Sequence, residues 1–166
     1  MKRLLLALIL LPSFAFADCT SDLQSSGYKF KPLASFQDGH CGIEEPVRLY
    51  ATPTTKLSKP IVLECSFVKK VGSWTKDIGA SRISHVGGYN CRKVRGGFLA
   101  SQHSYGNAID VSSIDGVPIS KSWRHAYKRA CKYFSTVRTP DHDANHQHHL
   151  HIDNGWGYGC LFDIVR

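Results

Sequence analysis

The 166-residue chain has no CxxC pair among its six cysteines, no internal repeat and no low-complexity tract. The missing CxxC spacing argues against a thiolate zinc site. The missing repeat excludes solenoid and propeller architectures. No segment after the first seventeen residues approaches the roughly twenty apolar positions of a membrane span, so the mature chain is expected to be soluble. Acid is also scarce: 13 Asp and Glu stand against 21 Lys and Arg, a formal charge of +8. Such an excess suits an anionic partner, for which wall polymers, nucleic acid and acidic lipid all qualify, or simply keeps an exported domain in solution.

What is present begins with Met1-Lys2-Arg3, an apolar run from Leu4 to Pro12, and a small-x-small ending at Ala15 and Ala17. This pattern reads as a secretory signal peptide cleaved after Ala17. Asp18 directly precedes Cys19, where a lipid-modified cysteine would want a small residue, so a free periplasmic or secreted protein is expected. Export argues against a nucleic-acid partner. It also makes Cys19, Cys41, Cys65, Cys91, Cys131 and Cys160 candidates for disulfides, with fifteen pairings open. The remaining chain is one domain's worth, divided as an extension over 18–40 and a core over 41–166.

Residues 18 to about 60 are rich in Ser, Thr, Pro and Gly and read as a mostly irregular, disulfide-tied wrap, with an edge strand near Pro46–Tyr50. From Pro60, the spacing of Ile61, Cys65, Val68 and Val71 predicts a helix reaching Gly72 or beyond. Ser81–Arg92 reads as a strand with a bulge or close backbone approach at Gly87-Gly88. A further strand is expected over Ala108–Ile114. Trp123, Ala126, Tyr127, Ala130, Cys131 and Phe134 recur at helical intervals and predict an amphipathic helix over Ser122–Val137. Arg124, Lys128, Arg129 and Lys132 on its other side read as a solvated face.

The chemistry-bearing residues fall in two stretches, Ser101 to Asp110 and His146 to Asp153. In His149-Leu150-His151-Ile152-Asp153 polar and apolar side chains alternate, so an extended chain puts His149, His151 and Asp153 on one face and Leu150 and Ile152 in the core. His103 and Asp110 lie seven positions apart with Gly106 between them, which allows the chain to return both to one point. His103, Asp110 and His151 thus form a candidate zinc set with an open fourth position, the pattern of a hydrolytic metal. His149, displaced by two residues from a ligand, stands where a general base belongs. Nine histidines can also form a surface cluster that binds metal adventitiously, and the His103/Asp110 pair weighs against that reading. His40, His85 and His125 read as ordinary surface or hydrogen-bonded residues, and His148 should point away from His149.

SxHxxGxAxD followed by HxxHxH resembles the LAS metallopeptidases, which include lysostaphin-type endopeptidases, D-alanyl-D-alanine carboxypeptidases and the zinc domain of Sonic hedgehog. With Cys41-Gly42-Ile43, Cys65, Gly88 to Arg92 and Ala130 to Phe134, the chain also resembles the bacterial extensin-like C-terminal family over about residues 41 to 154. That resemblance implies an α+β domain, a small antiparallel sheet flanked by helices and stabilised by disulfides. It implies a catalytic zinc and cleavage of cross-links between peptidoglycan stem peptides, although the same ligand types would also take manganese or iron. His103, Asp110 and His151 match the ligands, His149 the residue that activates water, and His146 a residue that orients or polarises substrate. Arg92 resembles an arginine that binds a substrate carboxylate or carbonyl, and Ser101 suits a supporting role. Gln102 departs from the Glu common at its position. Cys19 and Cys160, outside the matched core, are left as an extra bridge, with Cys41–Cys65 and Cys91–Cys131 as the other pairs.

The expected activity is therefore a D,D-endopeptidase of peptidoglycan. A D-Ala-D-Ala carboxypeptidase that uses Arg92 on the terminal carboxylate is the nearest alternative, and a non-catalytic wall-binding module is the alternative of another class. Expected partners are stem peptides and an unidentified regulatory protein, with no nucleic acid and no stable membrane insertion of the mature chain.

Overall fold

The computed structural model describes residues 18–155 and 160; the expected leader over 1–17 lies outside the described residues. Asp18 opens the fold by accepting from Thr20 N at 3.0 Å, an N-cap that satisfies one free amide of α1 (Cys19–Ser25). The chain continues through β1 (Lys29–Pro32), a short hairpin of β2 (Phe36–Asp38) and β3 (Cys41–Ile43), then β4 (Pro46–Ala51) and β5 (Lys56–Glu64). Next come α2 (Cys65–Asp77), β6 (Arg82–Gly87), a 3-10 turn (Gln102–Tyr105), β7 (Ala108–Ile114), β8 (Val117–Pro118), α3 (Ile119–Ala130), β9 (Thr136–Arg138) and β10 (Leu150–Asp153).

The main sheet has eight strands in the order β1-β4-β5-β6-β7-β10-β9, with β8 beside β7; β2 and β3 form a separate pair. It is mixed rather than the small antiparallel sheet expected. β5 and β6 run parallel because α2 crosses over between them, while the other ladders of the main sheet are antiparallel. The fold class is α+β with three helices and three disulfides.

Residues 18 to 60 are mostly regular structure, which corrects the expected irregular wrap. The burial pattern of β1 does not alternate, and β2 and β3 are three residues each, so no periodicity marked them. Nor is the strand at Pro46–Ala51 an edge, since β1 and β5 flank it. Pro60 sits inside β5 rather than opening a helix. It falls beside a register shift in the β4–β5 ladder, where a missing N–H is tolerated. The helix starts at Cys65, whose amide donates to the N-cap Glu64 Oε1 at 3.0 Å.

The predicted strand over 108–114 matches β7 at both ends. The predicted helix over 122–137 is shorter, since α3 ends at Ala130. Beyond it the chain turns so that β9 can pair with β10, and Phe134 packs between Phe67 (5.4 Å) and Trp74 (6.1 Å) from that turn. Its apolar spacing reported burial, not helix. Trp74 Nε1 donates to Ala126 O at 3.1 Å, tying α2 to α3 beneath the sheet. Ile109, Val111, Leu150 and Ile152 face this core, which leaves Asp110 and His151 on the opposite side of their strands.

All three expected disulfide pairings are corrected. Cys19 joins Cys65, Cys41 joins Cys91, and Cys131 joins Cys160, with Cα separations of 6.1, 5.5 and 5.3 Å. The reason is topological. α1 packs against the start of α2, and β3 lies beside the 3-10 turn next to the segment that holds Cys91.

Candidate metal centre

β7 and β10 are antiparallel in a register that sets His151 directly opposite Asp110. A cross-strand pair of this kind brings two side chains together without any loop. His103 arrives from the 3-10 turn, where Ser101 Oγ accepts from His103 N at 3.4 Å as the N-cap. Gly106 ends the turn with φ +65° while its carbonyl accepts from Glu64 N at 3.0 Å. A Cβ there would lie 2.6 Å from Ile43 Cδ1, so only glycine lets the turn sit this close to β3 and β5.

The three side chains offer ligand atoms that lie within 4.8 Å of one another. His103 Nε2 is 3.3 Å from both His151 Nδ1 and Asp110 Oδ2, and Asp110 Oδ1 is 2.8 Å from His151 Nδ1. Ligands about 2.0–2.2 Å from a tetrahedral zinc stand about 3.3–3.5 Å apart, so the triangle is slightly tight but of the right size. The outer atoms fix which nitrogens face inward. His103 Nδ1 donates to Gly88 O at 2.6 Å, leaving Nε2 as the inward lone pair. His151 Nε2 donates to Asp153 Oδ2 at 2.7 Å, leaving Nδ1 inward. A carbonyl and a carboxylate behind two imidazoles are the usual outer partners of metal-bound histidines.

The electrostatics agree. Burial alone would raise the Asp110 carboxyl, but the His103 and His151 rings beside it hold it well below the usual range. Burial alone would lower the His151 ring, but the bonds to Asp110 and Asp153 outweigh it and raise it to about 9. One inward position is therefore strongly cation-seeking, and either a proton or a metal ion satisfies it.

Around this set stand the other residues singled out from sequence. His149 Nε2 lies 3.7 Å from Asp110 Oδ1, and burial lowers its pKa. The His146 ring centroid is 5.2 Å from that of His149 and 5.8 Å from that of His151, and its Nδ1 donates to Asp143 Oδ1 at 2.7 Å. Burial lowers His146 as well, against the pull of Asp143. Arg92 is held by its backbone, whose N–H donates to Ser104 Oγ at 3.0 Å, while its guanidinium donates to Lys93 O at 3.3 Å rather than to any ligand residue. His85 is a hydrogen-bonded histidine, as read from sequence, with Nε2 donating to Lys59 O at 3.0 Å. His40-Cys41-Cys91 and Cys19-Glu45-Cys65 also cluster, but their cysteines are consumed in disulfides.

Sequence reasoning gave no role to three groups that complete the centre: the Gly88 carbonyl, Asp153 and Asp143. Alternation did put Asp153 on the His151 face, and that signal was available. A backbone carbonyl fifteen residues before its histidine carries no sequence signal.

A family model described as Extensin-like protein C-terminus matches residues 17–160. No curated protein and no solved structure matches the chain.

Proposed function

The chain belongs to the extensin-like C-terminus family, and on that premise we propose that it is an exported zinc peptidase that hydrolyses cross-links between peptidoglycan stem peptides, a murein D,D-endopeptidase related to the LAS enzymes. The observation that carries this reading is the convergence of His103 Nε2, His151 Nδ1 and the Asp110 carboxylate, with their outer atoms already engaged, and His149 on the rim. Three protein ligands suit a catalytic site better than a closed structural one, because a fourth position stays open. The chemistry a bound zinc supplies is Lewis acidity, which polarises a carbonyl and brings water toward a pKa of about 7.

The chain's own residues do the rest. His149, neutral near pH 7 because burial disfavours its charged form, takes a proton from the attacking water at Nε2 and hands it to the departing amine. His146 donates its Nδ1–H to Asp143, so its Nε2 accepts from an amide N–H of the substrate and orients the peptide. Arg92 reaches a substrate carboxylate by exchanging its bond to the Lys93 carbonyl. The cationic surplus favours an anionic polymer, and the signal-peptide pattern of residues 1–17 supports a periplasmic or secreted setting for the reaction.

The test is digestion of purified murein sacculi with zinc-loaded wild type and with His149→Ala, followed by mass separation of the fragments. Cross-linked dimers should fall to monomers with wild type and about 100-fold or more slowly with the variant. Absence of new fragments with wild type would sink the proposal. Release of free alanine with dimers intact would replace it by the carboxypeptidase.

A further inference from the structure

We infer that the hairpin over residues 93–100 is a substrate-gripping arm of the metal centre, whose tip side chains Phe98 and Leu99 close on the apolar groups of an anionic wall peptide. Phe98 is 93% and Leu99 79% exposed, beside Val94 at 45%. Single exposed apolar residues are ordinary, but three on one eight-residue hairpin point to a binding surface.

The arm is joined to the centre at both sides. Lys93 bridges Ala100, Val94 N donates to Leu99 O at 2.9 Å, and Gly97 N donates to Val94 O at 3.0 Å around Gly96 at φ +73°. The positive φ at the third residue of that turn is what glycine supplies without strain. At its base, Ser101 N donates to Arg92 O at 3.0 Å and Ser104 Oγ donates to the same carbonyl at 2.7 Å, fixing the arm to the turn that bears His103. Along its flank, Arg95 Nη1 donates to Asn145 Oδ1 at 2.8 Å, next to His146 and in the loop that leads to His149. The apolar tip is thus held out on a strut between the two segments that make the site. Binding through it immobilises little that is not already fixed.

Charge selects the occupant. No acidic residue occurs between Asp77 and Asp110, whereas Arg92, Lys93 and Arg95 stand in or beside the arm. Cations at the base with apolar side chains at the tip suit a peptide that carries free carboxylates and small alkyl side chains. An anionic bilayer offers similar chemistry, but the bonds to both site segments favour a ligand shared with the metal centre.

This inference rests on the wall-peptidase proposal, and the test separates the two. Co-sedimentation with sacculi is measured for zinc-loaded His149→Ala with and without Phe98→Ser/Leu99→Ser, and with Val117→Ser on β8, which pairs with the far end of β7, as a control. Hydrolysis of a soluble cross-linked muropeptide dimer is followed for wild type and the double variant. The double substitution should weaken sacculus binding about tenfold and raise KM by a similar factor with little change in kcat, while Val117→Ser behaves as its parent. If wild type cuts and the double variant binds and cuts equally well, the arm is overturned and the peptidase stands. If wild type cuts nothing but binding still depends on Phe98 and Leu99, the peptidase falls and the arm stands as a wall-binding element. If neither cutting nor binding is found, both fall. Loss of binding to phosphatidylglycerol vesicles alone, with sacculus binding unchanged, would assign the tip to a membrane and overturn the inference.

Discussion

His151 has one nitrogen on Asp153 and the other facing Asp110 and His103, so on the proposed reading a proton and a zinc ion compete for its inward position. Without metal, the Asp110–His151 pair stabilises the fold fully between about pH 4 and 6.5, the unfolded values of the two groups. That stabilisation fades as pH rises through the folded His151 value of about 9, and it fades at acid pH as Asp110 protonates. Zinc needs the ring nitrogen bare, so each unit of pH gained between 6.5 and 9 favours metal by up to about tenfold. The difference in Tm between zinc-loaded and EDTA-treated protein should therefore widen from pH 6 to 9. A difference that narrows over that range would remove His151 from the ligand set. The outer carboxylate makes a second prediction: Asp153→Ala should lower zinc affinity about 10- to 100-fold in competition with a chromogenic chelator, and Asp153→Asn by less, because an amide oxygen still accepts the ring N–H. Unchanged affinity in both variants would mean that Asp153 does not support the ligand.

The elements that bear the site were legible in the sequence for a physical reason. Ile109, Val111, Leu150 and Ile152 are buried on either side of Asp110 and His151, so two-residue periodicity gave the faces of β10, although Ala108 and Asp153 are buried as well. Their mutual register was not legible, because pairing across forty residues leaves no local trace. Helix limits failed where tertiary contacts imitate periodicity. Phe134 continues the α3 spacing from a turn, and Ile61 precedes α2 at helical spacing from a strand. The 3-10 turn lies between these extremes: its Gly106 was noted as a turning point, but its contact with Ile43 and Glu64 depends on strands that composition concealed. That contact is testable. Gly106→Ala meets both an unfavourable φ and a collision with Ile43 Cδ1 and Glu64 N, whereas Gly39→Ala meets only the φ of +56° in open space. The Gly39 variant should cost about 1 kcal/mol and the Gly106 variant about 2–4 kcal/mol in denaturant unfolding, with loss of zinc affinity confined to the latter. Equal costs would show that the turn can move away from β3.

For the whole molecule, the disulfides divide into bridges that hold the fold and one that also frames the centre. Cys19–Cys65 and Cys41–Cys91 close loops of nearly the same length, with sequence separations of 46 and 50. Loop-closure entropy therefore assigns each about 4 kcal/mol and cannot distinguish them. Their placement can. Cys65 begins α2 on the core side, whereas Cys91 directly precedes Arg92, whose backbone is bonded to Ser101 and Ser104 on either side of His103. Cys41 lies on β3, which packs against the same turn. Replacing either pair by alanine should lower stability by a similar amount, read as comparable shifts in urea midpoint. Zinc affinity should fall only for Cys41→Ala/Cys91→Ala, because that change frees the support under His103, while Cys19→Ala/Cys65→Ala leaves the ligand triangle braced. If both double variants keep wild-type affinity, the turn is held by its hydrogen bonds alone. If both lose it equally, zinc binding follows global stability, and the centre has no bridge of its own.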